Sequence, residues 1–177
     1  MPKLPTTLKI AKRRSKIHGN GVIATAPIRK GEYIVEYKGQ LIDPKVADSE
    51  HHGDLTTGHT FLFTLNEDYI INANVKGNIA KWINCSCDPN AEAFVHEYKG
   101  KGNTKDPRKD QVIIEARRAI KAGEEILYDY GFEFDVPYTK ELLKTWACRC
   151  GAPKCRGTML GGKKLRAFVK SNPDWNK

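Results

Sequence analysis

A mainly β fold, a β-rich α+β arrangement of several short sheets with few short helices, is what this 177-residue sequence predicts. Three observations carry that reading. Runs rich in Val, Ile and Tyr are short. Gly, Pro, Asn or Asp punctuates the chain about every ten residues. Stretches with helical spacing of apolar residues are few, whereas a doubly wound sheet needs long amphipathic helices between its strands.

Taken in order, residues 1–8 read as a loose arm with Pro2 and Pro5, and the basic run 9–16 as an edge strand or a mobile segment, lysine being a guard against edge pairing. His18-Gly19-Asn20-Gly21 reads as a tight turn, the kind in which backbone amides approach a ligand closely, and 22–25 as a short strand. Pro27-Ile28-Arg29-Lys30-Gly31-Glu32-Tyr33-Ile34 is echoed by Ala119-Ile120-Lys121-Ala122-Gly123-Glu124-Glu125-Ile126. Each has an apolar anchor, a basic residue, a glycine turn and a Glu leading into a strand. The flanks do not recur, so these are two similar corners and not a repeat architecture.

Strands at 33–37 and 40–42 flank Lys38-Gly39. Asp43-Pro44 is an N-cap followed by proline at the first helical position, and predicts a short helix to about residue 51. His51, His52 and His59 lack a matching carboxylate spacing and are read as ordinary histidines. Segments 60–65 and 69–73 form a hairpin around Asn66-Glu67-Asp68, and Gly77-Asn78 opens a short helix over 79–82. Strands at 93–98 and 111–116 bracket a mobile loop over 99–110. A helix at 139–146 presents Leu142, Leu143 and Trp146 on one face, and the tail from Leu165 forms a last helical turn.

The net charge of +9, from 30 basic and 21 acidic residues, favours polyanionic or acidic partners, with non-specific nucleic-acid contact as the plain expectation. The basic residues crowd the two ends, at Lys9, Lys12, Arg13, Arg14 and Lys16 and again at Lys163, Lys164, Arg166 and Lys170, leaving the chemistry to the middle. No apolar run reaches the roughly 18 residues of a membrane span, and residues 1–20 lack the apolar core of a signal peptide. An intracellular, reducing location without membrane contact is therefore expected: the nucleus and chromatin in a eukaryote, the cytoplasm in a bacterium. There thiolate–metal chemistry is favoured over disulfides.

The five cysteines fall in two groups, Cys85 and Cys87, then Cys148, Cys150 and Cys155. Cys148-x-Cys150-x4-Cys155, with Gly151 and Pro153 between, supplies three thiolates on a short loop. Structural zinc takes four ligands, so the fourth comes from the first group, either Cys85 or Cys87. The resulting cross-link would pin the C-terminal segment against Ile83-Asn84-Cys85-Ser86-Cys87-Asp88-Pro89-Asn90, where Asn84 is a candidate cofactor ligand. Tyr128-Asp129-Tyr130 is the remaining cluster. As a Tyr-x-Tyr strand it has both rings on one face, which by itself is ordinary packing.

Together these pieces resemble a SET-domain protein lysine methyltransferase with a zinc-binding post-SET segment. The resemblance covers about residues 16–160. It rests on His18-Gly19-Asn20-Gly21-Val22, Glu36-Tyr37-Lys38-Gly39-Gln40-Leu41-Ile42, the run from Gly77 to Asn90, Gly123 to Tyr130, and Cys148 to Gly157, in the family's order. It implies a basic arm at 1–15, a SET catalytic domain at 16–135, a post-SET zinc segment at 136–160 and a basic tail at 161–177. It further implies a C-terminal pseudoknot, an exceptional threading that periodicity does not predict. S-adenosylmethionine is expected against Asn20, Gly21, Val22, Asn84, Cys85 and Tyr130, with a substrate lysine entering a channel lined by Tyr37 and Phe61. Tyr130 matches the family's catalytic tyrosine. Tyr128 matches the position that influences methyl number, and Tyr there leans towards mono- or dimethylation. Cys87 joins Cys148, Cys150 and Cys155 on one structural zinc ion.

Three departures stand out. Cys85 replaces the family's usual His, Lys81-Trp82 replaces a basic-aromatic pair that is often Arg-Phe, and no cysteine-rich segment precedes residue 16. The last is similar to compact stand-alone members such as bacterial ones. The implied substrate is a histone or another basic protein carrying a target lysine. The competing reading is a non-catalytic module that keeps the fold and zinc and holds chromatin or nucleic acid through its basic ends. A plain zinc-stapled DNA-binding protein lacks any ββα or helix-turn-helix pattern.

Overall fold

A computed structural model describes residues 5–50 and 54–176, so the expectations for His51 and His52 lie outside the described residues. Ten short strands dominate: β1 (Ile10–Arg14), β2 (Asn20–Ala24), β3 (Tyr33–Tyr37), β4 (Gln40–Ile42), β5 (Leu62–Thr64), β6 (Ile70–Asn72), β7 (Asn84–Cys85), β8 (Ala91–His96), β9 (Gln111–Ala116) and β10 (Leu127–Tyr128). The α-helices are α1 (Pro44–Glu50), α2 (Asp54–Thr57), α3 (Lys140–Thr145) and α4 (Gly162–Ser171), with 3-10 turns at Ile79–Trp82, Lys101–Asn103 and Pro107–Lys109. The mainly β class is as expected.

Four small sheets share the strands. β1 pairs antiparallel with β2, β9 lies between β3 and β8, β6 lies between β4 and β5, and β7 runs parallel to β10. Within the stretch expected as a basic arm, 10–14 is thus a paired strand, with Ile10 in the core. The tight turn expected at 18–21 sits earlier, where the Ser15 N–H donates to the Gly19 carbonyl at 3.0 Å and Gly19 has a φ of +48°. Asn20 and Gly21 already belong to β2.

β3 and β4 are neighbours in sequence yet lie in different sheets. Gly39 makes the crossing possible, because a Cβ there would collide with the backbone of Asn72 and Ala73. The hairpin of β5 and β6 has the expected turn, closed by the Asn66 side chain, which accepts from the Asp68 and Tyr69 N–H groups.

The two echoed corners are the same object twice. The Glu32 carboxylate accepts from the Arg29 N–H at 3.2 Å, and the Glu124 carboxylate from the Lys121 N–H at 2.7 Å. Gly31 and Gly123 take φ of +77° and +87°, which only glycine adopts without strain. The corners also pair with each other, Ile28 and Ile120 exchanging both backbone hydrogen bonds at 2.9 Å. The loop over 99–110 is more ordered than its composition suggested. Asp106 caps one of its turns, and Asn66 Nδ2 donates to the Pro107 carbonyl and to Asp110 at 2.9 and 2.8 Å.

Two apolar cores result. The larger gathers Val22, Ile34, Val112, Ile114, Ile126 and their neighbours inside the sheets. The second forms from Leu143, Trp146, Leu160, Leu165 and Trp175. α3 begins as expected, the Thr139 side chain accepting from the Leu142 N–H. α4 is a full ten residues where a single turn was expected. Its apolar positions, Leu165 and Phe168, are spaced for one face but are diluted by lysines, and the Gly161-Gly162 pair disguises its start. Among the described residues no helix is long and apolar enough to cross a membrane.

Candidate active site and metal centre

The parallel pairing of β7 with β10 sets Asn84 beside Leu127 and Cys85 beside Tyr128. Asn90 locks that pairing, its Nδ2 donating to the Glu125 carbonyl and its Oδ1 accepting from the Leu127 N–H, each at 2.8 Å. Two residues past β10, the Tyr130 hydroxyl donates to the Ile83 carbonyl at 2.7 Å. Asn84 Nδ2 reaches the His18 and Asn20 carbonyls at 3.2 and 2.9 Å and Glu125 Oε1 at 2.9 Å. The Pro-Asn end of one motif and the Tyr-x-Tyr of another, far apart in the chain, are thereby one unit.

Tyr130 stands between two cavities. The first, about 270 Å³, is lined by Gly19, Asn20, Asn84 and Cys85 on one side and by Trp146, Arg149 and Met159 on the other, with Lys81, Trp82 and Phe61 between. The second, about 700 Å³, is lined by Tyr37, Tyr128, Leu62, Phe63, Ile70 and the segment 131–136. Tyr130, Phe132 and Trp146 border both. A continuous run of rings crosses this wall. Tyr37 meets Phe63 with centroids 5.2 Å apart, Phe63 meets Tyr128 at 6.3 Å, Tyr128 meets Tyr130 at 4.9 Å, Tyr130 meets Phe132 at 5.2 Å and Phe132 meets Trp146 at 4.9 Å. The rings thus join one core to the other.

Burial pushes the Tyr130 phenol well above its ordinary value, and nearby Cys85 and Tyr37 add to the effect. Burial does the same to Tyr128 and Tyr37. All three are neutral hydroxyls at neutral pH, able to donate and accept hydrogen bonds but not poised as bases. Tyr37 spends its proton on the Phe61 carbonyl at 3.0 Å.

Two of the residues expected beside a ligand, through the backbone of 20–22, line neither cavity. Val22 is fully buried in the larger core. Gly21 lies under the Glu125 carboxyl, where an added Cβ would collide, and lines neither cavity. Alternation puts Gly21 on the face opposite Asn20 and Val22 on the same face as Asn20, and Asn20 reaches the cavity because it stands at the end of β2, with Val22 already inside the core. Phe61 borders the first cavity and not the second, its ring meeting Trp82 at 5.2 Å, while Tyr37 lines the second. Arg149 and Trp146, which line the first cavity, were not among the site residues expected from the sequence. Their signal was the position of Arg149 between Cys148 and Cys150. A loop closed on a metal carries that side chain to whatever the metal is pinned against.

The sulfurs of Cys87, Cys148, Cys150 and Cys155 all lie within 4.8 Å of one another. Cys87 Sγ is 3.7 Å from Cys148 Sγ and 3.8 Å from Cys155 Sγ. Four thiolates about 2.3 Å from a tetrahedral zinc ion stand about 3.8 Å apart, so the cluster has the shape of a structural zinc site. Although burial opposes it, donors including the Cys87 N–H, 3.5 Å from its sulfur, draw the Cys150 thiol down to about 6. Cys85, the other candidate for the fourth position, is buried beside Tyr128 in β7 and stands outside this set.

The cysteine loop is tied to the tyrosine strand by Arg156, which holds Asp129 with two hydrogen bonds, and by backbone bonds from the Phe132 N–H to the Met159 carbonyl and from the Gly161 N–H to the Phe132 carbonyl.

Fold and site therefore define a class: small β-sheets around a tyrosine shared by two cavities, closed from the C-terminal side by a four-cysteine cluster. Residues 19–131 match the family model of the SET domain, and the chain belongs to the SET-domain family. It is similar to the histone-lysine N-methyltransferase ATX2 of Arabidopsis thaliana, with 34% identity over 85% of this chain and 13% of that protein. It is 39% identical to an H3 lysine-4 specific histone-lysine N-methyltransferase of Schizosaccharomyces pombe, over 81% of this chain and 14% of the relative. Among solved structures it resembles Polycomb Repressive Complex 2 of Chaetomium thermophilum bound to GSK126, with a TM-score of 0.62 and 27% identity over 73% of this chain and 17% of that one. The chain spans less than a sixth of the length of these curated relatives.

Proposed function

We propose that the chain is an S-adenosylmethionine-dependent protein-lysine N-methyltransferase acting on a histone or similarly basic protein, in the nucleus if its host is a eukaryote. The observation that carries this reading is the pair of cavities meeting at Tyr130. One is shaped for a small polar ligand, and the other is a wider groove for a protein segment.

The first cavity suits S-adenosylmethionine in its donor set. Asn84 Nδ2 is committed to its three acceptors, and its Oδ1 has no partner among the described residues, so it is left to accept from the ligand's ammonium. Arg149 and Lys81 suit a carboxylate, and Trp146, Phe132 and Met159 an aromatic base. When bound, the cofactor supplies a methyl group already activated by a sulfonium. The protein's task is then alignment and the delivery of an uncharged amine. The ring-lined floor of Tyr37, Tyr128 and Tyr130 disfavours a lysine ammonium, whose pKa in water is about 10.4. Tyr130 orients the two reactants from the shared wall, and Tyr128 takes up space beside the amine that added methyl groups would need, favouring mono- or dimethylation. Cys87, Cys148, Cys150 and Cys155 are suited to a zinc ion that builds the cavity and takes no part in transfer.

On this reading 16–135 is the catalytic domain and 136–160 the zinc segment that completes the cofactor cavity. The non-catalytic alternative is not favoured: Cys85, which stands in place of the family's usual His, lines the first cavity with its backbone paired in β7. Incubating the purified chain with radiolabelled S-adenosylmethionine and core histones tests the proposal: label is expected on lysine and is lost in Tyr130→Phe. No label on any histone with bound cofactor verified would overturn it.

A further inference from the structure

The second cavity is apolar along β5 and β6 but carries two carboxylates on its opposite wall, Glu133 and Asp135. In a chain of net charge +9, these two acids share the cavity lining with one cation, Lys81. The two acids are not equivalent. Lys164 of α4 pairs with Asp135 at 2.6 Å and also donates to the Phe134 carbonyl at 3.2 Å, on the exposed side of the wall. Glu133 has no cationic partner among the described residues. Its carboxyl is parked against the backbone of Gly162 at the start of α4, where any Cβ would overlap it, and Gly162 has a φ of +73°. The ten-residue helix presents its positive end there. The carboxylate is exposed at the groove and has no side-chain cation paired with it among the described residues.

We propose that Glu133 is a specificity-determining residue that receives a basic side chain, arginine above all, flanking the target lysine of the protein substrate. This rests on the methyltransferase reading of the groove. The reasoning is charge complementarity combined with reach. Glu133 follows Tyr130 by three residues, so the two are at most about 11 Å apart along the backbone. A peptide whose lysine enters beside Tyr128 and Tyr130 therefore passes Glu133 within about three positions of that lysine. An arginine there gains a charge-assisted, two-bonded contact with the exposed carboxylate at the rim of the groove. Lysine offers only a point charge and is the weaker partner. A substrate with an acidic neighbour is repelled.

The test uses the whole chain and two sets of peptides carrying a single lysine. In one set an arginine is placed at each of the nearest positions on either side; in the other the arginine is alanine. With wild-type protein, KM is expected to be about tenfold lower for the best arginine peptide, a difference that falls to less than twofold in Glu133→Gln, with kcat on the alanine peptide unchanged. Glu133→Lys is expected to prefer a peptide with glutamate at that position, a gain that damaged folding cannot mimic. Equal effects of Glu133→Gln on both peptides, or no effect on either, would overturn the proposal. Fluorescence anisotropy of the same labelled peptides separates the two readings. A difference in affinity that depends on Glu133, without methyl transfer, keeps the docking role and sinks the enzymatic reading. Transfer without any dependence on Glu133 does the reverse.

Discussion

Arg156 and Asp129 are joined by two parallel hydrogen bonds, Nη1 to Oδ2 at 2.6 Å and Nη2 to Oδ1 at 2.5 Å, while Arg156 Nε donates to the Leu160 carbonyl at 2.9 Å. Asp129 lies between the two tyrosines of the wall, and Arg156 follows Cys155. One guanidinium therefore connects the cysteine cluster, the second core and the residues that border both cavities. Asp129 holds the Arg156 guanidinium well above its ordinary value, against the cost of burial, so its charge is constant.

Replacing that guanidinium tests the connection. Arg156→Lys keeps a charge but loses the planar two-bonded fit. Both side chains are partly exposed, so the expected loss of stability is modest, about 1–2 kcal/mol. Methyl transfer is expected to fall further than stability does, because the strand carrying Tyr130 loses its registration. Thermal melting and single-turnover transfer, compared side by side, check this; equal, small changes in both would show that Arg156 only staples the surface.

Tyr130→Phe removes a hydroxyl that makes one hydrogen bond, to Ile83. About 1 kcal/mol of stability is expected to be lost, with transfer reduced about a hundredfold, as expected for a group that positions the reactants. Tyr128→Phe is expected to leave the fold intact and to shift products towards trimethyl-lysine, read by mass spectrometry of the modified peptide. An unchanged methyl distribution would show that Tyr128 does not limit the space.

Zinc analysis is expected to find about one ion per chain. Cys150→Ser is expected to reduce it sharply and to lower affinity for S-adenosylmethionine, since Trp146 and Arg149 are delivered to the cavity by the metal loop. Cys85→Ser is expected to leave the metal content unchanged. Calorimetric titration with S-adenosylhomocysteine gives the affinity arm.

The paired corners make a pH prediction. Lys9, chiefly by hydrogen bond, holds the Glu32 carboxyl below the usual carboxylate range, helped by the Arg29 N–H. Arg118 and the Lys121 N–H do the same for Glu124. A lowered folded-state pKa contributes stability that is present above the unfolded value of about 4.3 and is lost as pH falls through the folded value. Glu32→Gln and Glu124→Gln are therefore each expected to cost about 1 kcal/mol near pH 7, after allowance for partial exposure, and to cost nothing by about pH 2. Denaturant unfolding at several pH values checks it; a difference that persists in acid would mean that shape and not charge holds the corners.

Much of this was legible in the linear order of residues. The corners were visible because their chemistry is local: a glycine that must take positive φ and a Glu that closes back on the N–H three residues before it. The hairpin turn at Asn66, the cap at Asn78 and the cap at Thr139 are local in the same way. The cysteine spacing pointed to a metal-binding loop because three thiols within eight residues are a compact set of thiolate ligands.

The tertiary structure alone decided what meets across long separations. Sequence spacing left Cys85 and Cys87 equal, and only the pairing of β7 with β10 turns one into the core and the other into the cluster. It also decided that Val22 and Gly21 face away from the cavity, that Arg149 faces into it, and that α4 parks Glu133 at the groove. The physical reason is the range of the forces concerned. Caps, turns and glycine φ angles are settled within about four residues, whereas which side chains share a cavity depends on strand pairing between segments dozens of residues apart, and no local preference specifies it.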